Sequence, residues 1–121
     1  MDGQAQLAVL VADDDPALRL LCRVNLELEG YRVLEAANAR EVAEVLEAGP
    51  VSLVILDVHL GLDDGLEVAR GLRGTHPGMA VALFTGSAER RDEWDELADG
   101  YIGKPFSLEE LSETVRSLAS R

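Results

Sequence analysis

The chain has 121 residues, 47% of them apolar, which suits one globular domain around a single core rather than two. Its 23 acidic residues outweigh 11 basic ones, and the resulting formal charge of −12 argues against direct binding to a nucleic-acid backbone or an anionic membrane. A lone cysteine, Cys22, excludes an internal disulfide and a cysteine-rich zinc site, and the opening MDGQAQ lacks the basic flank and apolar core of a leader, so a cytoplasmic setting is expected.

Taken in chain order, residues 1–6 read as a flexible extension. LAVLVA (7–12) then has the unbroken apolar character of a strand buried on both faces. Asp15 followed by Pro16 is a helix start, Leu18, Leu21, Cys22 and Leu26 recur at helical spacing, and Gly30 closes the helix. YRVLEA (31–36) is a second, more exposed strand. Asn38 with Glu41 forms a capping box for a helix on Val42, Val45 and Leu46, ended by Gly49. VSLVIL (51–56) is a third strand, and the glycines and aspartates of DVHLGLDDG mark a loop.

Leu66, Ala69 and Leu72 continue as a helix that THPG breaks, with His76 in that loop, and MAVALF (79–84) is the fourth strand. The polar stretch from Gly86 to Gly100 offers only Trp94, Leu97 and Ala98 as a helical stripe, so a fourth helix that is short or loosely packed is expected there. YIG (101–103) is a fifth strand, and Ser107 with Glu110 opens a last helix on Leu108, Leu111, Val115 and Leu118. Five strands alternating with five helices is the pattern of an α/β doubly wound parallel sheet.

In such sheets ligands bind beyond the carboxyl ends of the strands. Asp13 and Asp14 follow the first strand, Asp57 the third, Thr85 the fourth and Lys104 the fifth. Three carboxylates without convergent cysteine or histidine suit a hard cation such as Mg²⁺, which also offsets the mutual repulsion of the aspartates. Asp57 can then act as a nucleophile toward phosphorus, with Lys104 as a point charge and Thr85 as a hydroxyl donor to phosphoryl oxygens. Lys104 is informative because the chain has ten arginines and no other lysine. Asp15 reads as a plain helix cap, Cys22 as core, and the His59 side chain as a rim group.

VADDDP, VILDVHL, LFTGSA and GYIGKPF, in that order, resemble the receiver domains of two-component response regulators over residues 7–119. The resemblance implies a flavodoxin-like strand order of 2-1-3-4-5. It implies Mg²⁺ on Asp13 and Asp14, with Asp14 favoured as the direct ligand, on Asp57, and on the backbone carbonyl of His59. It further implies phosphorylation of Asp57, Thr85 and Tyr101 as switch residues, and a Lys104–Pro105 peptide that is usually cis. The implied partners are a histidine kinase or histidine phosphotransfer protein as donor and an output domain or protein downstream, with a phosphorylation-dependent dimer also open. Gly61 and Asp63 replace the usual proline and methionine, which suggests a looser loop, and the segment from Thr85 to Lys104 is a few residues short. Two rival readings are a haloacid-dehalogenase-like phosphatase, in which Asp13-x-Asp15 is the nucleophile motif, and a receiver-like binding module that is no longer phosphorylated.

Overall fold

The computed structural model describes residues 6–86 and 91–119. Its elements run β1 (Ala8–Ala12), α1 (Pro16–Leu28), β2 (Arg32–Ala36), α2 (Ala39–Ala48), β3 (Leu53–Asp57), β4 (His59–Leu60), β5 (Asp63–Asp64), α3 (Gly65–Thr75), β6 (Ala80–Gly86), a 3₁₀ helix (Asp92–Glu96), β7 (Gly100–Lys104) and α4 (Leu108–Ala119). Five strands form one parallel sheet in the order β2-β1-β3-β6-β7, the doubly wound arrangement expected from the alternation of apolar runs and helical stripes. Because every strand points the same way, all five carboxyl ends meet at one edge.

Side chains alternate across a strand, and here both faces are covered. Val9 and Val11 of β1 pack with Cys22 and Leu26 of α1 and Leu111 and Val115 of α4. Leu10 and Ala12 pack on the other side with Val42 of α2, Ala69 and Leu72 of α3, and Trp94. That double burial is why β1 and β3 are apolar throughout. Cys22 lies wholly inside, where burial, reinforced by the Asp13 charge, pushes its thiol up to about 12 and leaves it inert. Leu21, expected on the buried stripe of α1, is 45% exposed and joins Leu20, Val24 and Leu28 on the outer face.

The caps agree with the sequence signals. Asp15 Oδ1 accepts from the amides of Ala17 (2.9 Å) and Leu18 (3.4 Å), and Pro16 occupies the first helical position. Around α2, Asn38 Oδ1 accepts from the Glu41 amide and Glu41 Oε1 from the Ala37 amide, at 2.9 and 2.7 Å. At α4 the box is only half closed: Ser107 Oγ accepts from the Glu110 amide at 2.9 Å, but the Glu110 carboxylate turns to the Gly103 amide of β7 at 3.2 Å.

The fourth of the five expected helices is replaced by the 3₁₀ helix, which leaves four α-helices among the described residues. Its three apolar residues are not loosely packed, since Trp94, Leu97 and Ala98 are 8%, 7% and 8% exposed. A 3₁₀ helix rises about 2.0 Å per residue against 1.5 Å for an α-helix, so it covers the return from β6 to β7 with fewer residues. Arg73 of α3 fastens this return by donating to Leu97 O at 3.0 Å and to Asp99 Oδ2 at 2.8 Å, and the same Asp99 oxygen accepts from the Val81 amide at 2.9 Å. Of the two expected alternatives, a short element or a loosely packed one, residues 91–100 show the short one, while residues 87–90 lie outside the described part.

The loop after β3 is also firmer than its glycines suggest. β4 and β5 pair antiparallel, His59 with Asp64 and Leu60 with Asp63, across a turn in which Gly61 has a φ of 63°. Asp63 Oδ2 accepts from the Ala39 amide at 2.9 Å and ties the loop to the start of α2. Gly65 then opens α3 against the end of β3, where an added Cβ would fall 1.9 Å from the Asp57 carbonyl oxygen. Backbone on both sides cannot yield, so Gly65→Ala is expected to cost about 3 kcal/mol, the upper end for overpacking. Urea unfolding checks this, with a wild-type midpoint as the contrary result.

Candidate functional site

Register brings the acidic groups together. β1 and β3 are neighbours with Ala12 opposite Leu56, so the next residues, Asp13 and Asp57, leave the sheet side by side. Both are buried, at 1% and 6% exposure, while Asp14 is exposed. Asp13, Asp14 and Asp57 each present a carboxylate oxygen within 4.8 Å of the other two. This all-oxygen, doubly or triply anionic set fits a hard divalent cation of the Mg²⁺ kind.

Lys104, at the end of β7, reaches into that cluster. Its Nζ donates to Asp13 Oδ2 and to Asp57 Oδ2, each at 2.7 Å. The ammonium also lies 5.2 Å from the centroid of the Phe84 ring, which stacks on Phe106 with a centroid separation of 5.3 Å. The Lys104–Pro105 peptide that follows is cis. The other Asp57 oxygen, Oδ1, accepts from the His59 amide at 2.8 Å, and the His59 side chain is exposed.

Burial pushes the Asp57 carboxyl above its ordinary range, and hydrogen bonds from Lys104 and His59 only partly offset this. Burial also works against the Lys104 ammonium, but the carboxylates of Asp13 and Asp57 outweigh it and hold that group above its usual range. The lysine is thus charged while Asp57 sits in tension between a dry environment and its cation.

Thr85 is 3% exposed, and its hydroxyl donates to Gly86 O at 3.1 Å, a local bond. Tyr101 packs against the core beside Trp94, with its hydroxyl donating to Asp95 Oδ1 of the 3₁₀ helix at 2.5 Å. The sequence reading of the site overlooked Arg19, whose Nη1 donates to the Asp13 carbonyl at 2.7 Å, and Glu35, which accepts from Arg19 Nε at 2.9 Å. It overlooked Gly65 as well. Arg19 and Glu35 are sixteen positions apart on different elements, and no local pattern joins them.

A doubly wound sheet with clustered carboxylates and a lysine at its carboxyl edge defines a class of phosphoacceptor folds. The response regulator receiver domain family matches residues 9–116, and the chain belongs to that family, the phosphorelay receivers of two-component signalling. It is 39% identical over 116 residues to response regulator MprA of Mycolicibacterium vanbaalenii, covering 93% of this chain and 50% of that protein. It is 34% identical over 115 residues to the transcriptional regulatory protein KdpE of Mycobacterium tuberculosis, covering 93% and 51%. The chain thus spans about half the length of these curated relatives. Among solved structures, TrrA of Thermotoga maritima in complex with Mg²⁺-BeF superposes with a TM-score of 0.86 at 36% identity, covering 93% of this chain and 99% of that one. A CheY-like receiver of Methanospirillum hungatei gives 0.87 at 29% identity, covering 96% and 95%.

The raised Asp57 value has a consequence for stability. A carboxyl that protonates more readily folded than unfolded favours folding below its ordinary pKa, and that contribution is lost as pH rises through the folded value. Asp57→Asn is therefore expected to be more stable than wild type at pH 7 in metal-free buffer, with the advantage fading as pH falls through the folded value and gone below the ordinary 3.8. Denaturant unfolding at the two pH values measures this, and a variant no more stable at pH 7 contradicts it.

Proposed function

We propose that Asp57 is the phosphoacceptor and that the domain acts as a switch rather than as a multiple-turnover enzyme. The observation that carries this reading is the two-sided grip on Asp57, with His59 N–H on Oδ1 and Lys104 on Oδ2. These bonds fix the carboxylate plane at the open edge of the sheet, so the nucleophile is oriented before a donor arrives. An Asp57 oxygen attacks the phosphorus of a phosphohistidine, the P–N bond breaks as the P–O bond forms, and the electron pair stays with the imidazole nitrogen.

Mg²⁺, held by carboxylates of Asp13, Asp14 and Asp57 together with the His59 carbonyl, would neutralise charge on the phosphoryl oxygens. Lys104 keeps its charge beside the reacting group and exchanges its Asp57 contact for a phosphoryl oxygen. Thr85, whose hydroxyl is engaged only locally, turns toward a second phosphoryl oxygen, and Tyr101 on the neighbouring strand β7 answers the change. The phosphatase reading is disfavoured, because Asp15, the second acid of its motif, is spent as the cap of α1, its Oδ1 accepting from the amides of Ala17 and Leu18 at 2.9 and 3.4 Å.

The donor is a histidine kinase or histidine phosphotransfer protein in the cytoplasm. Leu20, Leu21, Val24 and Leu28, 57%, 45%, 48% and 80% exposed along α1, support docking of an apolar helical surface next to the acidic edge. The longer relatives support an output region in the whole protein. No described helix is long and apolar enough to cross a membrane.

Incubation with acetyl phosphate and Mg²⁺ is expected to add one phosphoryl mass that hydroxylamine removes and that Asp57→Asn abolishes. Modification that persists in Asp57→Asn would move the acceptor elsewhere.

A further inference from the structure

Every polar atom of Asp13 is engaged. Its amide donates to Ala36 O at 3.0 Å, its carbonyl accepts from Arg19 Nη1 at 2.7 Å, Oδ1 accepts from the Asp15 amide at 2.9 Å, and Oδ2 accepts from Lys104 at 2.7 Å. Asp14 is the opposite case. It is exposed, and its carboxylate makes no hydrogen bond or ion pair to another described residue.

The Arg19 bond bears on Asp14 more than on Asp13. The Asp13 carbonyl and the Asp14 amide belong to one planar unit, so fixing the oxygen fixes the plane. The next plane is held too, since its Asp15 amide donates to Asp13 Oδ1 at 2.9 Å, and between two held planes the direction in which the Asp14 side chain leaves the backbone is set, although its rotamer stays free. Arg19 cannot drift, because Glu35 of β2 accepts from its Nε at 2.9 Å, and the other Glu35 oxygen accepts from Arg23 Nη1 at 2.6 Å. A guanidinium is a rigid planar fork, so a carboxylate on one arm aims the other. The Arg19 and Glu35 side chains are only 17% and 25% exposed, which limits competition from water.

The geometry points to Arg19, aimed by Glu35, as a positioning residue for the divalent-cation site: it holds the Asp13–Asp14 peptide so that the Asp14 carboxylate meets those of Asp13 and Asp57. This rests on the phosphoacceptor reading above. Arg23 supplies the natural control. It too joins α1 to β2, through Glu35 and through Val33 O at 2.9 Å, yet it makes no bond to the Asp13–Asp14 peptide. A merely structural brace would make the two arginines equivalent.

The test is a Mg²⁺ titration of the full chain, read from the backbone amide resonances of residues 13–15 and 57–59, with unfolding midpoints measured alongside. Arg19→Ala is expected to weaken Mg²⁺ about ten-fold, the low end for partners that orient metal ligands. Glu35→Gln should shift affinity in the same direction, and Arg23→Ala, which frees one Glu35 oxygen but leaves Arg19 on the Asp13 carbonyl, should weaken it clearly less than Arg19→Ala. With Mg²⁺ raised to saturation, phosphorylation of Arg19→Ala by acetyl phosphate should recover the wild-type rate. Equal Mg²⁺ affinities for folded Arg19→Ala and Arg23→Ala would overturn the assignment. Should Arg19→Ala fail to fold, Arg19→Lys carries the same expectation and the same contrary result, since an ammonium keeps the charge but cannot aim a fork. Absence of any Mg²⁺ response in the wild-type chain would instead overturn the phosphoacceptor reading itself.

Discussion

Two carboxylates are brought to the end of adjacent strands by the pairing of Ala12 with Leu56, and one ammonium stands between them. Neighbouring strands lie about 4.8 Å apart, so once β1 and β3 are in register the charges of Asp13 and Asp57 cannot avoid each other. The counter-charge comes from β7, two strands beyond β3, across the face of Phe84 on β6. A long flexible stem carrying a compact charge can cross that ring and bond two single oxygens at once, whereas an arginine fork would present its donors in parallel. The chain's single lysine occupies a place where this difference matters.

That arrangement is poised rather than relaxed. Burial raises the Asp57 carboxyl, and hydrogen bonds hold it down only in part. A cation among the carboxylates or a phosphoryl group on Asp57 would redistribute the same few contacts, with Lys104 as the group that must choose a partner. The second layer is stiff where it needs to be. Glu35 and Arg19 fix the backbone at Asp13, Asp63 ties the following loop to α2, and Gly65 lets α3 close on the Asp57 carbonyl. Thr85 and Tyr101, by contrast, hydrogen-bond to Gly86 O and to the Asp95 carboxylate rather than to the acidic cluster.

Much of the fold was legible because its signals are local. Buried parallel strands are continuous apolar runs, Asp15-Pro16 and Asn38 with Glu41 mark helix starts, and the polar residues after each run fall on one edge by topology alone. The return from β6 to β7 was misread because a helical stripe of three residues does not separate a short α-helix from a 3₁₀ helix, and tertiary contacts with Arg73 decide between them. Leu21 was misplaced for a related reason, since spacing locates an apolar stripe but not its edge. Gly65 looked like any loop glycine, and its need for a missing Cβ appears only when α3 meets β3. The Arg19–Glu35 pair left no trace in sequence, because long-range ion pairs have no fixed spacing.

The most direct measurement is the titration of the Asp57 side-chain carboxyl carbon by ¹³C NMR in metal-free wild type and in Lys104→Met. The account predicts a midpoint above the ordinary carboxylate range in wild type and a further rise when the ammonium is lost, because burial then acts unopposed by its main partner. An ordinary midpoint that does not respond to Lys104→Met would contradict the claim that this one lysine governs the site.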